Sequence, residues 1–363
     1  MTRVRLLSLD VVRGIAIAGM LLVNNPGSWK HIYAPLEHAA WNGWTPTDLI
    51  FPLFIFIVGV AMTYSLGKTT EHGSSRRDLL LKTAKRALLI FLIGLALQSF
   101  PWWGYDYAHL RIPGILQRIA IAYLFAAAIY LYTGVRGQVA IIIALLLGYW
   151  ALQAAAPALE PGADLGAYLD RAIFTTDHLW QSTKTWDPEG LLSTLPAIAT
   201  ALLGVLAGTW MRSDRSPLDK VAGLFVLGST GVVLGLIWGG LFPINKNLWT
   251  SSYVLFTAGV AAHLLALCYY LIDVKGYRRW SQPFVIFGSN AIAAYVLSSL
   301  GTLTLELIKV GEDDASLKVY IFRKFYLSWL ELIDASLLFA ISYVLLWLAI
   351  MWVLYKRRIF IKL

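Results

Sequence analysis

The stretch LEHAAWNGWTPTDLIFPLFIFIVG, residues 36–59, sets His38 and Asp48 against a run apolar enough to enter a bilayer. A neutral imidazole has an ordinary pKa of about 6.5, so His38 can act as a general base near neutral pH. It can equally take an acyl group covalently, as a nucleophile. Asp48 can orient that ring, or it can cap the helix predicted for the apolar run. The plainer reading places His38 in an interfacial aromatic belt with Trp29, Trp41 and Trp44. On the residues alone, the plainer reading wins.

Other polar residues press against apolar runs, where ionisable groups mark function or a partner. Asp10 and Arg13 share a helix face, which reads as a structural ion pair; the alternative is contact of Arg13 with a phosphate-bearing ligand. In HLRIPGILQRIAIAY, Pro113 suits a first helical turn, Gln117 and Arg118 project into the bilayer, and Arg111 stands just outside. Interhelical hydrogen bonds and an anionic substrate account for them equally well. Asp187 and Glu189 precede a further helix, whose N-terminus they complement. Asn245, Lys246 and Asn247 read as a turn, and Asn290 lies inside a predicted span where it needs a partner. His31, His109 and His178 lack metal-ligand spacing, so no metal is expected. Neither a nucleotide-binding glycine loop nor a G-x-S-x-G elbow occurs.

The elements that must position these residues are membrane helices. Of the 363 residues 58% are hydrophobic and only 14% charged, well below a soluble domain. Ten segments are long and apolar enough to span: 6–24, 48–66, 86–101, 114–133, 138–156, 190–211, 220–242, 249–272, 282–302 and 335–355. The third is short and extends backwards if Lys85 and Arg86 snorkel. Residues 317–330 carry Lys318, Arg323 and Lys324 and read as an amphipathic helix at the interface. Asp10 and Arg13 within the first apolar run argue against a cleaved signal peptide, so that run is expected to be a retained span.

Most of the 30 lysines and arginines fall on the side of both termini, which positive-inside reasoning assigns to the cytoplasm. The net charge of +9 therefore faces the inner leaflet, and no nucleic acid is expected as a partner. Cys268 is the only cysteine, which excludes an internal disulfide and a cysteine-rich metal site. The expected fold is all-α, about ten transmembrane helices in a single domain over residues 1–363. A transporter for amino sugars or cell-wall fragments shares this description, but would be expected to show internal repeats, and none is visible.

Five motifs now stand in order: SLDVVRGIAIAGMLLVN, EHAAWNGWTPTDLIFPLFIFIVG, LRIPGILQRIAIAY, WDPEGLLSTLPAIATALLGVLAG and NKNLWTSSYV. Together they resemble the heparan-α-glucosaminide N-acetyltransferase family, and within it the bacterial NagX-like proteins associated with N-acetylglucosamine use. The mammalian enzyme's additional outer domain and leading span have no counterpart among these motifs. The resemblance implies acetyl transfer across a bacterial inner membrane, from cytosolic acetyl-CoA to a glucosamine-type amine outside. It implies His38 as the catalytic histidine of H-A-x-W-N-G, with Asn24 in the same centre and Asp48 as its neighbour. Acceptor contacts are then expected from Trp41, Asn42, Asp187, Glu189, Asn245, Lys246 and Asn247. Donor contacts are expected from Arg13, Arg111, Gln117, Arg118 and Asn290, with Lys82, Lys85 and Arg86 at the phosphates. A homodimer is compatible with this reading, as are a longer acyl donor and a lipid-linked acceptor.

Overall fold

The computed structural model describes residues 6–71, 73, 75–310 and 314–361. Among the described residues the regular structure is helical, apart from a minimal hairpin in which β1 (Lys309–Val310) pairs antiparallel with β2 (Ala315–Ser316). Every one of the ten apolar segments forms helix. Among the described residues seven helical stretches are long and apolar enough to cross a membrane, or eight if a bent helix pair is one span. Two expected spans fall short of that measure. Helix α1 (Leu7–Val23) has 17 residues, and the N-terminal half of α3 (Arg76–Gln98) carries Arg76, Arg77, Asp78, Lys82, Lys85 and Arg86.

The described chain clusters into two compact units, the first holding residues 6–39, 45–51 and 271–361, the second 40–44 and 52–270. In the first unit α1 lies against α10 (Gln282–Ser289) with the two backbones touching. A Cβ on Gly14 would stand 1.8 Å from the Phe284 carbonyl oxygen, and one on Gly288 would stand 1.9 Å from that of Asp10. Small residues permit such approach where no hydrophobic effect drives helices together. No side chain of Leu6 caps α1; the Asp273 carboxylate does so instead, accepting from the Leu7 and Ser8 amides at 3.2 and 3.1 Å.

The predicted span over 282–302 is broken. Helix α10 meets α11 (Ala291–Leu307) at 84°. Asn290 leaves the helical region there (φ −131°, ψ 40°). Its carboxamide donates to the Ile359 carbonyl at 2.9 Å and accepts from the Ile361 amide at 2.9 Å, so the buried residue finds its partner in the segment after the last helix. The expected interfacial helix over 317–330 is realised as the shorter α12 (Leu317–Phe325). Its Phe322 packs on Ala335 and Phe339 of α13 (Leu332–Lys356).

In the second unit α2 (Ile50–Glu71) and α7 (Thr194–Arg212) form the buried centre. A Cβ on Gly59 would come 2.0 Å from the Ala201 carbonyl oxygen, and one on Gly204 2.0 Å from that of Phe56. Around them stand α3, α4 (Ile115–Tyr132), α5 (Val135–Ala154), α8 (Pro217–Gly239) and α9 (Ser251–Cys268). Exposed Val226, Leu234 and Ile237 on α8 give it the apolar outer face that a lipid-facing helix needs. The segment 157–189, expected to lie outside, holds a helix not foreseen from the sequence, α6 (Leu165–Phe174), capped by Asp164 accepting from the Ala167 amide at 3.1 Å.

Filling the α2–α7 contact should be costly. Gly204→Val should destabilise the protein by about 2 kcal/mol through overpacking, read as a fall of several degrees in unfolding temperature in detergent. Leu234→Ala on the exposed face of α8 should leave that temperature unchanged.

Candidate active site

Thr45 begins the turn that opens α2. Pro46 fixes its first φ, and Asp48 closes a capping box by accepting from the Thr45 amide at 3.0 Å. Asp48 is 1% exposed. Its second task follows from that burial: Oδ1 lies 2.6 Å from His38 Nδ1, while Oδ2 also accepts from the Ala39 amide at 3.0 Å. Asp48 therefore both caps the helix and orients the imidazole. Thr45 Oγ1 reaches the Glu37 carbonyl at 2.5 Å and Thr47 Oγ1 that of Pro35 at 3.2 Å, pinning the His38 loop onto the start of the helix. The His38 side chain remains 48% exposed. With Nδ1–H donated to the carboxylate, the ring's lone pair sits on Nε2, the tautomer that a general base uses.

Also in the first unit, Asn24 terminates α1, its amide bonded to the Met20 carbonyl at 3.1 Å. It lines a cavity of about 210 Å³ with Asn25, Tyr295, Ser298 and Thr302. Buried Asn25 donates to the Leu21 carbonyl at 2.8 Å, and its Oδ1 accepts from Thr302 at 2.5 Å. Arg13 pairs with Asp10 at 3.5 Å and donates to the Gly288 carbonyl at 3.3 Å, at the end of α10.

Within the second unit, the loop residues are tied together by several polar contacts. Trp41 donates from Nε1 to the Leu159 carbonyl at 2.7 Å and stands edge-on to Trp186, centroids 5.1 Å apart. Asn42 accepts from Asn245 at 3.2 Å, and the Gly43 amide donates to the Ile244 carbonyl at 2.7 Å. The W-N-G and N-K-N motifs are thus joined. Arg111 forks between two carboxylates, Nη2 lying 2.6 Å from both Asp187 Oδ1 and Glu189 Oε2. Burial is the largest influence on Arg111 and opposes its charge, but the hydrogen bonds and charges of Asp187 and Glu189 together outweigh it and hold the guanidinium protonated. Burial likewise opposes ionised Glu189, and the charges of Arg111, Arg118 and Lys246 overcome it, lowering its pKa.

Arg118 is 1% exposed. Its Nη2 donates to the Gly190 carbonyl at 3.2 Å and to Ser193, and the guanidinium lies 5.0 Å from the Trp249 ring centroid. Its Nε and Nη1 have no hydrogen-bond partner among the described residues. Gln117 instead joins helices, donating to Gln98 at 3.0 Å. Lys82, Lys85 and Arg86 are exposed on α3, with Arg86 over Tyr123.

Asp170 escapes sequence reading because nothing marks one carboxylate of an outer segment as buried. It is 2% exposed, accepts from the Leu191 amide at 2.9 Å and faces a small void shared with Asp187 and Asn247. Burial pushes its carboxyl up to about 7, against the pull of the Leu191 amide. A carboxyl raised above its ordinary 3.8 contributes stability that is complete below about pH 4 and is lost as pH rises through about 7. The unfolding temperature should therefore fall more steeply between pH 4 and pH 8 in the wild type than in Asp170→Asn, measured by scanning fluorimetry.

Residues 5–229 match the family model described as heparan-alpha-glucosaminide N-acetyltransferase, catalytic. The human heparan-alpha-glucosaminide N-acetyltransferase is 30% identical over 417 aligned residues, which cover 99% of this chain and 60% of that protein. The mouse protein is 29% identical with the same coverage. The chain thus spans about 60% of the length of these relatives. The matched residues hold the His38–Asp48 pair, Asn24, the Arg111 fork and Arg118. With more than half of its length matched to the catalytic region of an N-acetyltransferase, the chain belongs to the heparan-alpha-glucosaminide N-acetyltransferase family.

Proposed function

We propose that this protein transfers the acetyl group of acetyl-CoA to the amine of a glucosamine-type sugar. The observation that carries the reading is the 2.6 Å contact between buried Asp48 and half-exposed His38, inside the region matched to the family's catalytic domain. His38 Nε2 takes the proton of the sugar's ammonium group. The freed amine forms a C–N bond to the thioester carbonyl, the C–S bond breaks, the imidazolium returns its proton to the departing thiolate, and the acylated nitrogen gives up its remaining extra proton to the neutral ring and thence to water. Asn24 donates to the oxyanion of the tetrahedral centre. The same Asp48-held ring also suits a route through an acetyl-histidine intermediate.

For acceptor recognition we assign Trp41, Asn42, Asp187, Glu189, Asn245, Lys246 and Asn247. Carboxylates and amides suit a polyhydroxylated cation, and an indole face suits a sugar ring. For the donor, Arg118 has the strongest support, because its Nε and Nη1 retain donor capacity among the described residues. Arg13, Arg111, Gln117 and Asn290 are assigned to the donor as well, and Lys82, Lys85 and Arg86 supply positive charge. We place this activity in a single domain of about ten spans in a bacterial inner membrane, termini and donor on the cytosolic side and acceptor outside.

The second reading is an amino-sugar transporter, favoured by the broken α10–α11 pair, since discontinuous helices recur in permeases. Turnover separates the two. In proteoliposomes, His38→Ala should keep its elution profile yet lose acetylation of glucosamine from labelled acetyl-CoA, and Asp48→Asn should lower kcat by about a hundredfold or more. Transfer undiminished in His38→Ala removes that residue from the mechanism; wild-type uptake without acetylation favours the transporter. A reporter fused after Leu363 should read as cytoplasmic, and a signal from outside overturns the orientation.

A further inference from the structure

A second charged cavity lies in the second unit, at the helix ends that positive-inside reasoning assigns to the cytoplasm. It measures about 490 Å³, within the range of small-molecule sites. Arg76, the first residue of α3, and Arg212, the last of α7, line it. The Arg212 guanidinium is held in place by donation to the Thr63 carbonyl at 2.7 Å and to the Tyr130 hydroxyl at 3.3 Å. Gly67 makes room for it, since a Cβ there would stand 1.8 Å from Arg212 Nη1.

Two further features converge on the same space. Gly134 and Val135, the cap and first residue of α5, line the cavity, and no side chain caps that helix. The first amides of a 20-residue helix lack intrahelical acceptors and favour an anion. Independently, Gln138 is 2% exposed and lines the cavity. Its Nε2 donates to the Thr133 carbonyl at 3.2 Å, but its buried Oε1 has no hydrogen-bond partner among the described residues. A buried carbonyl oxygen without a donor is costly, so the site asks for a hydroxyl as well as an anion.

We propose that this cavity binds a phosphate ester carrying a neighbouring hydroxyl group. Arg76, Arg212 and the α5 amides hold the phosphate oxygens, and Gln138 Oε1 accepts from the hydroxyl. A soluble nucleotide phosphate and a phosphoglycerol lipid headgroup both present this chemistry.

The test uses the full-length protein and reads binding, so its outcome stands apart from whether acetyl transfer occurs. One arm titrates adenosine 3′,5′-bisphosphate into protein in phosphatidylcholine nanodiscs by calorimetry. The other counts phosphatidylglycerol retained from an equimolar mixture with phosphatidylcholine by native mass spectrometry. Arg76→Gln alters an exposed side chain and Gln138→Leu keeps the volume, and each should weaken the bound probe about tenfold. Arg212→Gln should abolish binding, and it counts only if its elution profile is unchanged. Saturable nucleotide binding lost in the variants supports the site with a soluble ligand; selective retention of phosphatidylglycerol lost in the variants supports it with a lipid. Absence of both in the wild type, or binding indifferent to Arg76→Gln and Gln138→Leu, overturns it.

Discussion

A carboxylate withdrawn from water must be met by donors, and Asp48 shows what that requirement builds. Its two oxygens are met by an imidazole, two backbone amides and a threonine hydroxyl. Each donor belongs to a stretch that must then hold still, either the His38 loop or the turn at Thr45 that opens α2. Desolvation of one acid thereby fixes a titratable ring at the mouth of an apolar helix. Removing either role would strand the other, which is why capping and orientation reside in the same side chain.

The same constraint recurs at larger scale. Membrane helices gain little from burying apolar side chains against one another, so backbone approach through Gly59, Gly204, Gly14 and Gly288 supplies the packing. Polar side chains inside the bundle are consumed locally: Gln117 by Gln98, Asn25 by Thr302, Asn290 by the segment after α13. Arg118, like Gln138, departs from that pattern. A buried guanidinium with two donor nitrogens still to satisfy is a poor structural strut and a good receptor for an anion or a carbonyl.

Much of this was legible in the sequence. Helix positions could be read because long apolar runs have few alternatives, and each of the ten segments is helical. The number that cross could not be read as directly, because α1 is short and α3 begins as a charged helix. The break at Asn290 follows a Gly-Ser pair, a recognised site of kinking, yet the apolar composition on both sides concealed it. Helix α6 carried its own cap at Asp164, but ten residues in a polar outer segment gave a weak periodic signal. His38 was ambiguous as a residue type; only its motif pointed to chemistry, and only the fold brought Asp48 within hydrogen-bonding distance. Asp170 had no local signature, because its burial depends on Gly190 and Leu191, which are remote in the chain.

The Arg111 fork ties the stretch entering α4 to the stretch entering α7 through two carboxylates at once. Such a clasp removes the freedom of both stretches when the chain folds. On the proposed assignment of Asp187 and Glu189 to the acceptor, the amine would meet a wall with little ordering entropy left to lose, and discrimination would rest on a shape already cast rather than on a flap that closes.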